Sequence, residues 1–480
     1  MSAESGAAPV LSRTEQSKPA APARIVHIGL GAFHRAHQAW YTAEADRHGQ
    51  WGIAAFTGRS RTAADQLTAQ DGLYTLVTRG PERDEFDVVT SIVEAHDGGS
   101  LGSLSELIAR SSTAIITLTV TEAGYHLTSG AHGAQLDTDD DVVAADIAAL
   151  RAHHQHGVFT VGTGGLSGET VRSAAARIVV GLSARRAAES GPLAIVSCDN
   201  LPGNGAAARA AVLDTARQVD PALAEWIASQ VSFVDTSIDR ITPKTTQQDR
   251  DAVLRATGRH DKMPVVTEPF SSWIISGDFP AGRPPWEDAG VLIVEDLEPF
   301  ERRKLWMLNG AHSLLAYAGQ LRGHKTVAEA MTDSAVSGWV EELWDAAAAH
   351  LQAPELRVDD YRKALRARFE NPRIAHHLAQ IGMDGSLKLA VRAVPILRAE
   401  RGAGGTGSAA LRLIAAWMDQ VCTQLEQTRE VQDSAAEAIA DAASTSEAQT
   451  SALLGVIDPD LAEDTEIIAA TQGLRGTFAH

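Results

Sequence analysis

The sequence predicts a doubly wound α/β domain followed by a mostly α-helical domain, and three observations support this fold class. Short runs rich in β-branched residues recur up to residue 297, and many are apolar on both faces, as in parallel strands that helices cover. Helical segments such as "ETVRSAAARIVVGLSARRAA" separate several of these runs, which is typical of a doubly wound sheet. After residue 298 the strand runs stop, and long Ala- and Leu-rich segments with helical periodicity follow. We therefore predict a flexible tail over 1–23, an α/β domain over 24–297 and a helical domain over 298–480.

The composition of the chain limits the classes of partner. The chain has 480 residues and a formal net charge of −19, which argues against nucleic acid or an anionic membrane as its main partner. Its two cysteines, Cys198 and Cys422, form no CxxC pair, so we expect neither a disulfide framework nor a cysteine zinc site. No apolar run reaches transmembrane length, and the Ala-, Ser- and Pro-rich start lacks the apolar core of a signal peptide. We predict a cytoplasmic protein that binds a small molecule and needs no obligate protein partner.

The first β-rich run, "RIVHIGLG" at 24–31, is followed by a glycine turn and a predicted helix. Gly29 and Gly31 supply the first two glycines of a GxGxxG dinucleotide turn, and His34 takes the place of the third. Glycines at such a turn allow backbone N–H groups to come close to a pyrophosphate. A plain strand–helix turn is the alternative. His34 and His37 also have the spacing of a metal pair, but no carboxylate or cysteine partner is evident, so we predict no metal.

The second run, "WGIAAFTG" at 51–58, ends directly before Arg59, Ser60 and Arg61. An acid near this strand end usually binds the ribose 2′-hydroxyl of NAD. Two arginines and a serine suit the 2′-phosphate of NADP instead, and solvated loop charges are the alternative. The cofactor prediction is therefore NAD(H) or NADP(H).

Later runs place polar residues at or near predicted strand ends. These runs are "TAIITLTVT" (113–121), "LAIVSCDN" (193–200), "VSFVDT" (231–236), "MPVVTEP" (263–269) and "VLIVEDL" (291–297). Asp199 and Asn200 end the second of these runs, and α/β sheets bind ligands at the carboxyl ends of their strands. Ordinary Asx turn chemistry is the alternative for this pair. Two short charged motifs offer groups that either bind a ligand or form surface ion pairs. They are "SIDRITP", which contains Asp239, and "MDGSLKLAVR", which contains Lys388 and Arg392.

The stretch "KLWMLNGAHS", residues 304–313, opens the helical domain and is unusually polar for a run that otherwise predicts a buried helix. Four polar residues share one face of an α-helix drawn through this region: Glu301, Lys304, Asn309 and His312. Oxidation of a secondary alcohol needs a base for the hydroxyl proton and donors for the developing alkoxide. Lys304 could be the base, Asn309 a donor and His312 an orienting group, with Gly310 leaving room for the substrate. A buried structural network, with the lysine reaching towards solvent, is the alternative.

Taken together, these motifs resemble the mannitol dehydrogenase family of long-chain polyol-specific dehydrogenases. The resemblance runs in order from about residue 25 to residue 390. The matching stretches are "IVHIGLGAFHRAHQAWYT", "AQDGLYTLV", "LTVTEAGY", "SCDNLPGNG", "DRITP", "EPFSSWII", "GRPPWEDAG", "PFERRKLWMLNGAHSLLAYAG" and "NPRIAHHLAQIGMDGSLKL". The Lys-x4-Asn-x2-His array and the "FHRAH" loop are the most specific of them.

The resemblance implies a Rossmann-type N-terminal domain that binds NAD(P), a mostly helical C-terminal domain and metal-independent hydride transfer. It implies that Lys304 is the general base, that Asn200 and Asn309 stabilise the oxyanion, and that Glu301 assists proton exchange with solvent. It assigns substrate contacts to His312, Asp239 and Lys388. The implied cofactor contacts are Ile28, Gly29, Leu30, Gly31, Ala32, Phe33, His34, Arg35, Thr119 and Glu122.

Departures from the family pattern bear on the substrate. Gln380 stands where some mannitol dehydrogenases have an arginine that contacts the substrate, and this favours D-mannonate and D-fructuronate slightly over D-mannitol and D-fructose or another polyol such as arabinitol. Arg392 and Lys388 could bind the carboxylate of such a sugar acid. Two other classes of function are alternatives. One is a catalytically silent dinucleotide-binding sensor, and the other is a zinc alcohol dehydrogenase, whose cysteine and histidine ligand spacing is missing from this sequence.

Overall fold

The computed structural model describes residues 8–15, 19–58, 60–130, 133–155, 158–446 and 448–478. The chain forms two compact units, Met1–Leu297 and Glu298–His480. The first unit is built around a β-sheet, and the second consists of helices.

The strands of the described residues lie in the first unit and are numbered in chain order. They are β1 (Ala23–Ile28), β2 (Gly52–Phe56), β3 (Tyr74–Arg79), β4 (Asp84–Val89), β5 (Ile92–His96), β6 (Ile115–Leu118), β7 (Leu127–Gly130), β8 (Gly133–Leu136), β9 (His154–Gln155), β10 (Val158–Phe159), β11 (Leu193–Ser197), β12 (Val231–Asp239), β13 (Val265–Thr267), β14 (Ser272–Ser276) and β15 (Leu292–Ile293). The main sheet has eight strands in the order β15-β14-β12-β11-β6-β1-β2-β5. Its neighbours are parallel except for the antiparallel pair of β12 and β14.

Helices cover the main sheet on both faces, which explains why its central strands β6 and β11 are buried along their whole length and mostly apolar. In β6, Ile116 packs into one core cluster while its neighbour Ile115 packs into another. In β11, Ile195 and Val196 divide in the same way. The helices of this unit are α1 (Ala32–Ala36), α2 (Gln38–Ala45), α3 (Thr62–Thr68), α4 (Leu101–Ala109), α5 (Asp141–His153), α6 (Ala174–Ala187), α7 (Asn204–Val219), α8 (Pro221–Gln230) and α9 (Gln247–Thr257).

The second unit packs its helices around α18, which is buried along most of its length and contacts α11, α13, α17 and α22. Its helices are α10 (Glu298–Arg303), α11 (Gly310–Leu321), α12 (Val327–Thr332), α13 (Ser334–Ala348), α14 (Val358–Phe369), α15 (Leu378–Ile381), α16 (Gly385–Arg392), α17 (Val394–Gly402), α18 (Ser408–Glu426), α19 (Ala436–Ser444), α20 (Gln449–Ile457), α21 (Pro459–Glu463) and α22 (Thr465–Leu474). A π-helical segment, Lys304–Asn309, joins α10 to α11.

The predicted fold class is confirmed, but the strand prediction is incomplete: the sequence analysis predicted none of β3, β4, β5, β7, β8, β9, β10 and β14. The run at 263–269 forms β13, which pairs with β3 in a separate three-stranded sheet rather than joining the main sheet. The main sheet instead contains the antiparallel strand β14, which the sequence did not predict. Polar serines at both ends of β14 hide it, because the apolar run "WII" between them is only three residues long.

Candidate active site

The glycine turn after β1 has the backbone geometry that a dinucleotide turn requires. Gly29 has φ +111°, and a Cβ atom there would lie 2.4 Å from the Thr119 carbonyl oxygen, so only glycine fits. The Thr119 hydroxyl donates to the Gly29 carbonyl at 2.8 Å. The N–H groups of Gly29 and Leu30 both donate to the Phe56 carbonyl, at 3.0 and 2.8 Å. The turn is therefore fixed to the carboxyl ends of β2 and β6.

Two side chains of the predicted cofactor loop point into the protein. His34 is fully buried and stacks on His27, with ring centroids 3.2 Å apart. Burial lowers the pKa of His34 well below its ordinary value, and the charge of His27 lowers it further. Arg35 is also buried and donates to the carbonyls of Gly31 and Met263. Both residues would therefore contribute backbone rather than side-chain atoms to a cofactor site.

The first unit contains a mainly apolar cavity of about 530 Å³ at the carboxyl edge of its sheet. Phe33, Thr119, Glu122 and Asn200, for which the family resemblance implies cofactor and oxyanion contacts, all line it. The other lining residues are Val120, Thr121, Ala123, Cys198, Asp199 and Ile238. The cavity thus brings together residues from four separate motifs of the sequence.

A residue that the sequence analysis missed stands beside this cavity. Tyr125 is buried, and its hydroxyl donates to the carboxylate of Asp199 in a short hydrogen bond. Burial raises the pKa of Asp199, while the bond from Tyr125 lowers it. The Leu201 N–H donates to the same carboxylate at 3.0 Å. The motif "LTVTEAGY" contained Tyr125, but nothing in its spacing indicated a partner 74 residues away.

The loop after β2 is less available to a ribose phosphate than the sequence suggests. Arg59 lies outside the described residues. Arg61 is exposed and forms a two-bond ion pair with Asp65, at 3.0 and 3.2 Å. The bond to Asp65 and the charges of Asp65 and Asp97 raise the pKa of Arg61. Ser60 is also exposed and donates to the Thr62 hydroxyl.

At the end of β12, Asp239 and Arg240 separate into two environments. Asp239 is half-buried at the last position of the strand. Arg240 is buried, lies 4.2 Å from the centre of the Trp40 ring and donates to the carbonyls of Ala36 and Glu268. Arg240 therefore stabilises the fold, and Asp239 is the member of this motif that remains a substrate candidate.

The π-helical segment Lys304–Asn309 changes the relative directions of its two polar end residues from those in a regular α-helix. In a π-helix the backbone bonds join residues five apart, and the Gly310 N–H donates to the Leu305 carbonyl in this way. Lys304 and Asn309 are also five apart, so a π-turn puts them closer to one line along the helix than an α-helix would, where they lie at the two edges of the shared face. The buried indole of Trp344 donates to the Met307 carbonyl at 2.8 Å and satisfies a carbonyl within the π-turn.

His312 follows the π-turn and is acted on by aromatic and basic neighbours. Its half-buried ring packs 4.7 Å from Phe369 and 4.8 Å from His376, measured between ring centres. Its Nε2 atom is buried and has no hydrogen-bond partner among the described residues. Burial lowers the pKa of His312 well below its ordinary value, and the charges of His376, Arg368 and Arg392 lower it further. The ring is therefore neutral near pH 7.

The remaining substrate candidates of the second unit differ in how many of their N–H groups already bond to protein acceptors. Arg392 is half-buried and donates through Nη1 to the Ser313 hydroxyl at 3.0 Å and to the Asn309 carbonyl at 3.4 Å. Its Nε atom is buried without a partner among the described residues. Lys388 donates to the carbonyls of Ile381 and Met383, which leaves one of its N–H groups for a ligand. Gln380 is exposed and Glu301 is half-buried.

Within the described residues, no three His, Cys, Asp or Glu side chains converge as a metal site would require. None of the described helices is both long and apolar enough to cross a membrane. Metal-independent chemistry remains a prediction.

Known proteins resemble this chain over nearly its whole length. Family models for the mannitol dehydrogenase Rossmann domain and the mannitol dehydrogenase C-terminal domain match residues 23–288 and 296–473. The D-mannonate oxidoreductase of Escherichia coli strain K12 is 36% identical over 409 residues, which cover 82% of this chain and 79% of that protein. A D-sorbitol dehydrogenase solved in substrate-free form has a TM-score of 0.84 at 27% identity, with 97% of each chain covered. Pseudomonas fluorescens mannitol 2-dehydrogenase, solved as a ternary complex with NAD and D-mannitol, has a TM-score of 0.75 at 30% identity, with 98% of this chain and 94% of that chain covered.

Proposed function

The chain belongs to the mannitol dehydrogenase family of oxidoreductases, and from this premise we propose that it interconverts a hexonate or polyol with its 2-keto form. The favoured pair is D-mannonate and D-fructuronate, with NAD(H) or NADP(H) as cofactor. The observation that supports this chemistry is the π-turn over Lys304–Asn309, directly before His312, because residues five apart in a π-turn lie on nearly the same side of the helix.

In this proposal the protein supplies a base, oxyanion donors and an orienting group. Lys304 removes the hydroxyl proton, and Glu301 beside it passes that proton to solvent. The amides of Asn309 and Asn200 donate to the oxygen as it becomes an alkoxide, where fixed donors act most strongly. The buried Nε2 of His312, which has no partner among the described residues, supports a hydrogen bond between this ring and a substrate hydroxyl. Asp239, Gln380 and Lys388 are proposed as further substrate contacts.

The cofactor assignment is supported by the fit of the first unit to a dinucleotide. The Gly29 turn, which excludes any side chain, would admit the pyrophosphate, and the 530 Å³ cavity beside Phe33, Thr119 and Glu122 is large enough for a nicotinamide riboside. When bound, NAD(P)+ would supply the hydride acceptor for oxidation of the carbinol carbon. Two free cysteines fit the reducing cytoplasm, where we propose the protein acts.

The preference for a sugar acid over a polyol is supported by charge. The charges that act on His312 come from Arg368, His376 and Arg392, and all of them are basic groups. Arg392 has a buried Nε without a partner among the described residues and forms no ion pair there. A half-buried guanidinium without a counter-ion favours a carboxylate ligand. Gln380, in place of a family arginine, supports the same preference.

The test is a substrate panel of D-mannonate, D-fructuronate, D-mannitol, D-fructose and D-arabinitol, assayed with both cofactors. We expect the highest kcat/KM with D-mannonate and D-fructuronate. Arg392→Met should lower kcat/KM for D-mannonate by roughly tenfold or more, since a charged hydrogen bond is lost, and should change the value for D-mannitol little. Higher activity with D-mannitol, equally reduced by Arg392→Met, would favour the polyol alternative, whereas no turnover of any panel member would favour the silent sensor.

A further inference from the structure

We propose that Asn204 is a positioning residue that fixes Asn200 by joining the ends of two neighbouring strands. The inference rests on the proposed role of Asn200 as an oxyanion donor. Asn204 is the first residue of α7 and is fully buried. Its amide nitrogen donates to the Asp199 carbonyl at 3.2 Å and to the Thr236 carbonyl at 3.0 Å, and its amide oxygen accepts from the Thr236 N–H at 2.9 Å.

The carboxamide of Asn204 takes the place of a backbone peptide group beside Thr236, because β11 ends at Ser197 and does not extend that far. The register of the sheet pairs Val196 of β11 with Val234 of β12, so Thr236 lies beside the point where the chain leaves the sheet. A carboxamide has the same N–H donors and carbonyl acceptor as the backbone. Asn204 therefore satisfies both backbone groups of Thr236 and, through the Asp199 carbonyl, fixes the residue directly before Asn200.

Close packing of the start of α7 against β12 makes this arrangement rigid. A Cβ atom on Gly205 would lie 2.8 Å from the Asp235 nitrogen and from the Val234 carbonyl carbon, so the helix backbone touches the strand. The Gly205 N–H donates to the Asp235 carboxylate at 2.7 Å. On the other side of Asn200, the Leu201 N–H bonds to the Asp199 carboxylate, which Tyr125 also contacts. The backbone is thus fixed on both sides of Asn200.

Asn200 itself is exposed and lines the 530 Å³ cavity, and its backbone sets the point from which its amide reaches into that cavity. An oxyanion donor is effective only when it is fixed before the reaction, and a small displacement of a catalytic group costs much of the rate. Asn204 never needs to touch the substrate to have this effect.

The experiment combines single and double variants. Asn204→Ala should lower kcat on the order of 10²-fold, because Asn200 loses its alignment, while the affinity for NAD+ measured by fluorescence titration changes little. In an Asn200→Ala background the same substitution should have almost no further effect on kcat, because residues that act as a unit are not additive. Asn204→Asp keeps the side-chain volume and the acceptor for Thr236 but lacks both donors, so it tests the same loss in a variant that fills the site.

Arg185 offers a matched control at the opposite edge of the sheet. It is fully buried and donates to the carbonyls of Ile108, Arg110, Ser190, Gly191 and Pro192, near the amino ends of β6 and β11. Arg185→Met should lower Tm and leave kcat near its native value, since ligands bind at the other end of these strands.

Four outcomes would overturn the inference. The first is a native kcat in the Asn204 variants, and the second is a kcat loss in Asn204→Ala that multiplies with the loss in Asn200→Ala. The third is a kcat loss in Arg185→Met equal to that in Asn204→Ala. The fourth is a loss of NAD+ affinity in Asn204→Ala together with the loss of kcat. Full activity of Asn200→Ala alone would instead refute the oxyanion role in the proposed function.

Discussion

At the scale of single residues, the proposed chemistry depends most on Lys304. We predict that Lys304→Ala lowers kcat by roughly 10² to 10⁴, which is typical of a lost general base, without changing the circular dichroism spectrum. Added primary amines should restore part of the rate by replacing the missing group. Stopped-flow or steady-state assays with D-mannonate and D-mannitol measure the effect. Near-native turnover in this variant would remove Lys304 from the mechanism.

A second residue-scale prediction concerns the choice between NAD and NADP. The sequence offers Arg61 either as a ligand of a 2′-phosphate or as a solvated loop charge, and in the structure its guanidinium pairs with Asp65. Asp65→Asn should release Arg61 and raise the ratio of kcat/KM for NADP over NAD, by up to roughly fivefold because an exposed charge contributes little. The double variant with Arg61→Ala should return the ratio to its starting value. An unchanged ratio in Asp65→Asn would show that this loop does not bind the ribose.

Sequence patterns predicted some roles in the candidate site and could not reveal others. Gly29 was predictable because its turn follows a strand and precedes a helix, a pattern that is local in sequence. The inward direction of His34 was not, because it depends on stacking against His27 across the glycine turn. Tyr125 and Asn204 were missed for the same reason: their partners, Asp199 and Thr236, become neighbours only when the sheet forms.

At the scale of elements, the π-turn accounts for the unusual polarity of residues 304–313. A helical wheel with the α-helical period places the four candidate residues on one broad face with Lys304 and Asn309 at its two edges, and a π-turn brings these two closer to one line along the helix. The turn itself could not be predicted from periodicity, because one π-turn shifts the pattern only locally. Gly310 was expected to leave room for the substrate, yet a Cβ there would make only ordinary contacts of 3.6 Å with neighbouring protein atoms.

The element-scale prediction tests whether the indole of Trp344 maintains the π-turn. Trp344→Phe removes the buried hydrogen bond to the Met307 carbonyl, which should destabilise the fold by about 0.5–1.5 kcal/mol. We also expect kcat to fall by roughly tenfold or more, since Lys304 and Asn309 lose their alignment.

Trp417→Phe is the volume-matched control for that prediction, because Trp417 is equally buried but lies in α18, outside the π-turn. Its kcat should stay near the native value. Equal effects of the two substitutions on kcat would show that lost packing volume, rather than the hydrogen bond to Met307, explains the result.

At the scale of the whole molecule, the chain is strongly acidic while the charges acting on His312 are basic. The net charge of −19 argues against polyanionic partners as a class but gives no information about this local set. Arg368, His376 and Arg392 belong to different helices or loops of the second unit, and only the fold brings their charges to act on one ring. Binding of a small anion by a protein of high negative charge is therefore consistent with the overall composition.

The last prediction is that buried histidines make the whole molecule sensitive to acid. Burial lowers the pKa of His27 to about 3, and burial lowers the pKa of His34 well below its ordinary value. Below about pH 6.5 the unfolded chain binds protons at these histidines that the folded protein does not bind. The free energy of unfolding therefore has its full value above that pH and falls as the pH decreases towards 3. Each histidine should contribute to the change of this free energy with pH a slope that approaches about 1.4 kcal/mol per pH unit.

Urea unfolding between pH 7 and pH 5 measures this slope. It should be smaller in His34→Met and unchanged in His48→Met, a control variant of an exposed histidine. The same slope in both variants would show that His34 is not a source of the acid sensitivity.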